Sequence, residues 1–282
     1  MKKSLVFSVL LVIGALLLML YGFDADVPSG AAETGTVVLV VADDTGAFVL
    51  QVKQGARKAM AESGGDLAVE IISQDTLVQA AAKWADRGAV AALLLLEQEA
   101  LSHAAQAAFQ AQNIPVALIL EQRDGLPSVM TDERQAGELL GSYAAQFDKV
   151  YLLGGSSARL EGAQSALRSG QGSTSGMLPP KGENACVVAL SAEETLRLAN
   201  LREKGAFDAP LIGFDPGETR VSLMESGQTE ALVCENPYAM GYRAAQAALN
   251  HQTEAWLAPC RMVMREDLYS AKNVKLMFPL LN

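Results

Sequence analysis

The sequence predicts an α/β protein built on parallel sheets, with helices on both faces of each sheet. Short apolar runs rich in β-branched residues alternate along the chain with stretches of roughly 10–15 residues that have helical spacing. The first of these runs, residues 37–42, is continuously apolar, as in a strand that is buried on both faces. Strands separated by helices form βαβ units, and the strands of such units lie parallel and bind ligands at their carboxyl ends.

In the first half of the chain, each apolar run is followed by a helical stretch that ends at a glycine or a turn. The first such helix ends at Gly64 and Gly65, and Asp132 is predicted to cap the fourth. The predicted strands are residues 37–42, 67–72, 89–96, 116–120 and 129–130, and the predicted helices are residues 48–63, 76–87, 100–112 and 132–146.

The second half continues the alternation with one interruption. The predicted strands are residues 150–153, 186–190, 211–214, 231–234 and 261–264, and the predicted helices are residues 157–167, 192–204 and 238–250. Residues 168–184 are rich in Gly, Ser and Pro, which predicts a loop. A parallel crossover needs about a dozen residues or more, so either this segment is an irregular loop or the second half is short by one helix, with or without a strand.

The N-terminus predicts attachment to a membrane. Lys2 and Lys3 precede an uncharged apolar run over residues 5–23, which at about 1.5 Å per residue comes close to the roughly 30 Å hydrocarbon core of a bilayer. We expect an uncleaved signal-anchor, because a cleaved signal has a shorter apolar region. A secretory signal with a weak cleavage site at residues 29–32 is the alternative. The lysines stay on the cytoplasmic side, so Asp24 and the residues after it are expected outside the cytoplasm.

Composition and charge exclude several classes of protein. The formal net charge is −10 and the chain has no basic stripe, so nucleic acid is not an expected partner. The cysteines show no CxxC spacing, and neither His103 nor His251 lies beside a nucleophile motif, so we expect no metal site, no cofactor and no enzyme activity. Cys234 with Cys260 is the only disulfide to consider, and we favour buried reduced thiols instead.

Several short strings follow one another in a fixed order over residues 36–265. They are Phe48-x4-Lys53-x-Gly55-Ala56, Arg87-Gly88, Asn113-Ile-Pro-Val116, Asp132-x4-Gly137, Arg159-Leu-x-Gly162, Ile212-Gly-Phe-Asp215 and Pro237-x3-Gly241. Their order and spacing resemble the type I periplasmic binding protein family, which includes ribose- and galactose-type solute receptors and the effector domains of lac-repressor-like regulators.

The resemblance implies two Rossmann-like lobes joined by three hinge strands, with the ligand in the cleft between them. After a linker at residues 24–35, lobe one would comprise residues 36–147 with 236–258. Lobe two would comprise residues 148–235 with 259–282, and it would be shortened at the loop described above.

The resemblance also implies ligand-binding residues on the lobe-one side of the cleft. Phe48 matches an aromatic residue that packs on the ligand, Glu121 stands near a polar residue that contacts hydroxyls, and Asp132 matches an aspartate that opens a cleft helix. Each has an alternative role: Phe48 in the core of the first helix, Glu121 as a structural or surface residue, and Asp132 as a helix cap only.

Three further residues are implied on the lobe-two and hinge side. Arg159 matches an arginine that donates to ligand oxygens, Asp215 matches an aspartate that accepts from sugar hydroxyls, and Glu235 stands where a hinge-side glutamine often lies. The alternatives are a solvated helix start for Arg159, a cap of the turn before Pro216 for Asp215, and a structural role for Glu235. Two lobe-two contacts of the family are absent or changed in this chain. The family often supplies a second stacking aromatic in the interval that the loop fills, and where it carries Asn-Asp this chain has Ser191-Ala192.

Two functions are therefore expected from the sequence. The first is an extracytoplasmic solute-binding protein that closes its lobes on a small polar ligand, a carbohydrate, and is read by an ABC-type transporter permease or a membrane sensor. It would be held at the membrane through residues 5–23, or secreted if the signal is cleaved. The alternative is a degenerate binding-protein fold that serves as a sensory or protein-interaction module with little ligand affinity.

Overall fold

Two six-stranded sheets form the framework of the structure, a computed structural model that describes residues 35–169, 171–214 and 220–270. These residues belong to one unit, Gly35–Asn282. The predicted membrane segment at residues 5–23, and the predicted linker as far as residue 34, lie outside the described residues. Within the described ranges, no helix is long and apolar enough to cross a membrane.

The first sheet is parallel throughout. Its strands are β1 (Thr36–Val41), β2 (Asp66–Ile71), β3 (Ala89–Leu95), β4 (Val116–Ile119), β5 (Ser128–Thr131) and β11 (Ala255–Ala258). They lie in the order β11–β5–β4–β3–β1–β2, and every pair of neighbours is parallel. The continuous apolar runs thus form buried parallel strands, as the sequence predicted.

Helices cover both faces of the first sheet. They are α1 (Ala47–Glu62), α2 (Leu77–Asp86), α3 (Glu99–Ala111) and α8 (Pro237–Leu249). Val37, Leu39 and Val41 of β1 pack with α1 and α8, whereas Val38 and Val40 pack with α2 and α3. Successive side chains of a strand point to opposite faces, which explains why this strand is apolar at every position from Val37 to Val41.

The second sheet repeats this arrangement with one antiparallel strand. Its strands are β6 (Lys149–Leu153), β7 (Gly172–Ser175), β8 (Ala185–Ala189), β9 (Leu211–Phe214), β10 (Ala231–Cys234) and β12 (Arg261–Met264). The order is β12–β10–β9–β8–β6–β7, and only β12 runs antiparallel to its neighbour, β10. The helices of this half are α4 (Glu133–Ala144), α5 (Ser157–Ala166), α6 (Ala192–Glu203) and α7 (Arg220–Glu225), and a 3-10 turn follows at Arg265–Asp267.

The Gly- and Ser-rich segment contains a strand that the sequence did not predict. Residues 172–175 form β7, which pairs with β6 at the edge of the second sheet. Residues 176–184 then lead to β8 without a helix, so the second half lacks a helix and keeps the strand. An extended chain spans about 3.3–3.6 Å per residue, which lets this short segment reach back across β6. Leu178 packs on the sheet where a helix would otherwise lie.

Helix α4 belongs to the second half, whereas the predicted lobe one extended to residue 147 and so included this helix. Ala136, Leu140 and Ala144 of α4 are buried in the same cluster as residues of β6, β8 and β9. The chain therefore passes from the first sheet to the second at the end of β5, because the apolar face of α4 fits the second sheet. Strand β11 and helix α7 were not predicted either.

Glycines allow two pairs of helices to approach closely. A Cβ atom on Gly137 of α4 would lie 2.0 Å from the Arg159 carbonyl oxygen of α5, and one on Gly162 would lie 2.1 Å from the Arg134 carbonyl. The same holds for α1 and α8, where a Cβ atom on Gly55 would lie 1.9 Å from the Tyr238 carbonyl. These backbones are in contact, so any side chain at these positions would separate the helices.

The three cysteines are buried thiols outside any disulfide, as favoured above. Cys234 pairs in register with Arg261, so Cys260 lies one residue beyond this pair. Cys234 packs with Met224 on one face of the sheet, whereas Cys260 belongs to the cluster that contains α4. The two thiols therefore lie in different clusters, and the pair considered above does not form.

Candidate functional site

A cavity of about 480 Å³ opens at the carboxyl ends of the first-sheet strands. It is lined by residues at or just after the ends of β1, β3, β4 and β10, by the start of α1 and by one residue of α3: Ala42, Asp43, Gly46, Phe48, Val49, Leu95, Glu97, Gln98, Leu101, Leu120 and Glu235. Ligand pockets of small-molecule binding proteins span about 300–1,000 Å³ and occur at this end of parallel sheets. The cavity therefore has the size and position of a small-molecule site.

Phe48 packs in the core, which was its alternative role, and also lines the cavity. Its half-buried ring lies against the core beneath α1. Gly46, the residue before α1, has an extended backbone and makes no side-chain cap, so α1 begins beside the cavity without a polar side chain in the way. An aromatic face is thus available to a ligand from a rigid element.

Glu235 lines the same cavity from one of the segments that join the two halves. The Thr131 hydroxyl donates to Glu235 Oε1 at 2.5 Å, which links the end of β5 to the end of β10. The structure therefore places Phe48 and Glu235 on the wall of one cavity.

Glu121 lies close by, but neighbouring side chains already satisfy its carboxylate. Arg123 Nε donates to Glu121 Oε1 at 2.7 Å, and the Ser102 hydroxyl donates to Oε2 at 2.6 Å. Arg123 also donates to Ser102 at 3.0 Å and to Gln106. This network anchors the segment after β4 to α3. It borders a second cavity of about 470 Å³ that includes Glu97 and Glu99.

Asp132 caps α4, as predicted. Its Oδ1 accepts from the Gln135 backbone N–H at 3.0 Å, and its own N–H donates to the Ala258 carbonyl at 2.9 Å. Asp132 remains partly exposed, so one carboxylate oxygen is directed to helix capping while the residue still borders the hinge region.

Arg159 is buried and bound inside the second half, in contrast to the solvated helix start that was its alternative. Its guanidinium carbon lies 3.5 Å from the centre of the Phe214 ring, its Nη2 lies 2.5 Å from Glu133 Oε2, and its Nη1 donates to the Leu190 carbonyl. Only 6% of Arg159 is exposed. Burial of a guanidinium requires a counter-charge, and Glu133 supplies it.

Asp215, the remaining residue implied by the resemblance, lies outside the described residues. The residue before it, Phe214, ends β9 and carries the Arg159 guanidinium on its ring. The role of Asp215 as a ligand residue remains a prediction.

Several residues that line the cavity were not predicted as site residues from the sequence. Asp43 directly follows the Ala42 that ends the first apolar run, and Glu97 directly follows the third run. Parallel strands end at the same edge of a sheet, so polar residues directly after neighbouring strands are expected to lie at one site. This pattern could have identified Asp43 and Glu97 from the sequence. The Asp43 carboxylate accepts from the Thr45 hydroxyl and backbone N–H, and the hydroxyl hydrogen bond is the main cause that lowers the pKa of Asp43.

Charged groups also surround Cys260, which lies in the segment that leads from β11 of the first sheet to β12 of the second. Burial raises the pKa of this thiol well above its ordinary range, and the negative charges of Glu235, Glu133 and Asp132 add to the effect while Arg159 opposes it. These four groups therefore lie near one another where the chain passes between the two sheets. In the portion of the chain that the structure describes, no group of three or more His, Cys, Asp or Glu residues is placed to hold a metal ion.

No family model matches the chain, and no curated protein matches it in sequence. Solved structures do match its fold. The glucose-galactose binding protein GanP of Geobacillus stearothermophilus is 20% identical with a TM-score of 0.60, and the match covers 84% of this chain and 99% of GanP. An ABC transporter solute-binding protein of Agrobacterium vitis, bound with α-D-tagatopyranose, is 17% identical with a TM-score of 0.61 and coverages of 86% and 98%.

A third similar structure is a mutant of the XylFII–LytSN complex, in which the matched chain is 18% identical with a TM-score of 0.67. The match covers 83% of this chain and 98% of that chain. At these identities, the likeness shows the fold, and that fold is the type I periplasmic-binding-protein-like α/β fold that the sequence resembled.

Proposed function

We propose that this chain is an extracytoplasmic solute-binding protein that closes its two halves on a small polar ligand, a carbohydrate. The observation that carries the proposal is the cavity at the carboxyl ends of the first-sheet strands, where Phe48 and the carboxylates of Asp43, Glu97 and Glu235 line one space. Carboxylate oxygens accept hydrogen bonds from sugar hydroxyls, and an aromatic ring covers the apolar face of a sugar ring.

The similar structures support the carbohydrate class. Two of them are a glucose-galactose binding protein and a solute-binding protein bound with a tagatopyranose, and both share the fold over nearly their whole length. The proposed readers of the closed form are an ABC-type permease or a membrane sensor. The sensor alternative is supported by the similar chain in the XylFII–LytSN complex.

Thermal unfolding of the full chain against pentoses, hexoses and amino sugars tests this function. A ligand at about 100 times its Kd stabilises the folded state by about 2.7 kcal/mol, which raises Tm by roughly 5–10 °C for a domain of this size. Phe48→Ala, Glu97→Gln and Glu235→Gln should each reduce the shift, whereas the matched control Glu161→Gln, on an exposed position of α5, should keep it. A shift that survives all three cavity variants would place the ligand elsewhere.

A degenerate binding fold is the second candidate, and a specific observation favours it. Two polar groups that the resemblance assigned to the ligand are bound within the protein, Glu121 by Arg123 and Arg159 by Glu133. If the chain is a protein-interaction module, no sugar should shift Tm, and small-angle scattering should give the same radius of gyration with and without each sugar. A sugar-dependent contraction would rule out this candidate.

The membrane location forms a separate part of the proposal. We propose that residues 5–23 anchor the chain, with the described residues outside the cytoplasm. The mass of the N-terminal peptide of protein purified from membranes tests this. Intact Met1 or Lys2 supports an anchor, whereas a start after residue 29–32 supports a cleaved and released form.

A further inference from the structure

The first half contains a second polar cavity, at the edge of the sheet opposite the proposed ligand site. It has a volume of about 450 Å³ and lies between the end of α8 and the first residues of β5 and β11, Ser128 and Ala255. Because the sheet is parallel, the amino ends of these strands face away from the carboxyl ends that line the proposed carbohydrate site. The two cavities are therefore separate.

Arg243 is the charged group that distinguishes this cavity. Its Nε atom is buried without a hydrogen-bond partner, and its Nη1 atom makes only a long contact of 3.4 Å to Gln246 Oε1. Within the described residues, no carboxylate pairs with Arg243. Because the Nε atom is shut off from solvent, a group in the cavity would meet the Nη nitrogens, for which the described residues supply only that one long contact.

A comparison with the other buried unpartnered atoms strengthens this assignment. In the part of the chain that the structure describes, the others are Arg159 Nε and Thr229 Oγ1. The Arg159 charge is already balanced by Glu133, and Thr229 is uncharged. Of these three residues, only Arg243 combines an unsatisfied N–H with an unpaired charge and a position on a cavity wall.

The rest of the wall suits a small anion. The Arg243 guanidinium carbon lies 5.9 Å from the Trp256 ring centre, which holds the fork beside an aromatic wall. Asn250 and His251 at the end of α8 add polar side chains. The carbonyls of Ala247 and Ala248 there already accept backbone N–H groups at 2.9 and 3.3 Å, which reduces their repulsion of an anion. Glu254, exposed on the cavity wall, is the one acidic residue that opposes it.

We propose that this cavity is a second binding site, for a small oxyanion whose oxygens accept from the Arg243 guanidinium. Phosphate and carboxylate groups share the required chemistry, because two oxygens of either match the planar donor fork of arginine. The site goes beyond the carbohydrate function and does not depend on it. A phosphate- or carboxylate-bearing metabolite would bind on the outer side of the first half while the cleft remains open to its own ligand.

The chain offers a direct optical test, because it has only two tryptophans, Trp84 and Trp256. In a full-length Trp84→Phe variant, Trp256 is the sole reporter. We would titrate it with inorganic phosphate and, separately, with malonate, both against chloride at constant ionic strength. Saturable quenching by either anion is the expected result, and the anion that binds tighter identifies the source. No saturable change with either anion would overturn the proposal.

Variants then test the assignment to Arg243. Arg243→Gln should weaken binding about 10- to 100-fold, since a charge-assisted hydrogen bond is lost, while Glu254→Gln should tighten it modestly. The matched control Arg87→Gln removes an exposed arginine of the first half that does not line this cavity and should leave the titration unchanged. If Arg243→Gln does not fold, Arg243→Lys keeps the charge without the fork and should still weaken binding. Equal affinity in the parent and the Arg243 variants would overturn the assignment.

Discussion

The Arg123 guanidinium pairs with the Glu121 carboxylate and so makes that carboxylate unavailable to a ligand. The Arg123 and Glu121 side chains are only 12% and 24% exposed, and the Ser102 hydroxyl bonds to both. Removal of one partner of such a pair leaves the other with an uncompensated, partly buried charge.

Arg123→Gln should therefore lower the free energy of unfolding by about 1–3 kcal/mol, measured by urea denaturation. The matched control is Arg134→Gln, which breaks an exposed pair between Arg134 and Glu138 on α4 and should cost less than about 0.5 kcal/mol. An equal effect of the two variants would show that the Glu121 network is not a stabilising one.

The Glu183 carboxylate gives the stability a defined dependence on pH. A hydrogen bond from Lys149 is the main cause that lowers the pKa of Glu183, and one from the Tyr151 hydroxyl, at 2.6 Å, adds to it. The same contact raises the pKa of Lys149. Since the folded pKa of Glu183 lies below the unfolded value of about 4.3, the stabilisation is present above that pH and is lost as the pH falls through the folded pKa.

We therefore expect Glu183→Gln to be less stable than the parent at pH 6–8, and the difference to vanish as the pH drops below about 4. On the alkaline side, the contribution of Lys149 is present below about pH 10.4 and is lost as the pH rises through its raised pKa. Urea denaturation of both proteins across this range tests the claim. A constant difference at every pH would contradict it.

The cysteine thiols should be inert in the folded protein. Burial raises the pKa of Cys186 to about 12 and raises that of Cys260 further, and only the thiolate reacts with disulfide reagents. At pH 8 the native chain should therefore react with none of its three cysteines over minutes, and the urea-unfolded chain with all three. Rapid labelling of the native protein by Ellman's reagent would be inconsistent with the buried positions.

At the scale of elements, the contact between α4 and α5 depends on glycine. A Cβ atom at Gly137 would lie 2.0 Å from the Arg159 carbonyl, and the nearest atoms are backbone, which cannot rotate away. Gly137→Ala should destabilise the protein by about 1–3 kcal/mol, measured by thermal or urea unfolding. Gly46→Ala is the control, because no atom lies within 4 Å of its Cβ position and its φ is −65°. It should change stability by less than about 1 kcal/mol.

The elements that the sequence predicted are those whose side chains carry the periodic apolar signal. β1 and β3 are buried on both faces, so their buried positions had to be apolar. β7 escaped because it is an edge strand of Gly, Ser and Thr that is held by backbone hydrogen bonds to β6. The assignment of α4 to the first half failed for another reason: an amphipathic pattern identifies a buried face but not the sheet that buries it.

The residues of the candidate site were likewise predicted only in part. The family resemblance singled out Phe48 and Glu235, and both line the cavity. Their role as ligand residues stays a prediction. The partners of Glu121 and Arg159 were not predictable, because the directions of side chains depend on packing in three dimensions. Arg123 lies two residues from Glu121, but Glu133 and Arg159 lie on different helices that only the fold brings together.

At the scale of the whole molecule, the two halves are joined by segments at the ends of β5, β10 and β11, and Gln135 fastens the third. Its Oε1 accepts from the Cys260 N–H at 2.7 Å, and its Nε2 donates to the Cys260 carbonyl at 3.2 Å. Gln135→Ala should speed hydrogen exchange of the Cys260 amide by about tenfold or more. Gln171→Ala is the control, since that amide bonds the Ala144 and Phe147 carbonyls within the second half. Unchanged exchange at Cys260 in Gln135→Ala would show that the segment is held by other contacts.

The contact between α1 and α8 has a consequence for how the protein is made. The Tyr242 hydroxyl donates to Glu62, a residue 180 positions earlier, and α8 shields the α1 side of the first sheet. A ribosome that has released residues 35–131 has delivered five strands of that sheet but neither α8 nor β11. Neither half can therefore finish folding until most of the polypeptide has been synthesised. The newborn chain thus lacks a complete core until late, and a polypeptide that has not finished folding is one that can be threaded across a membrane.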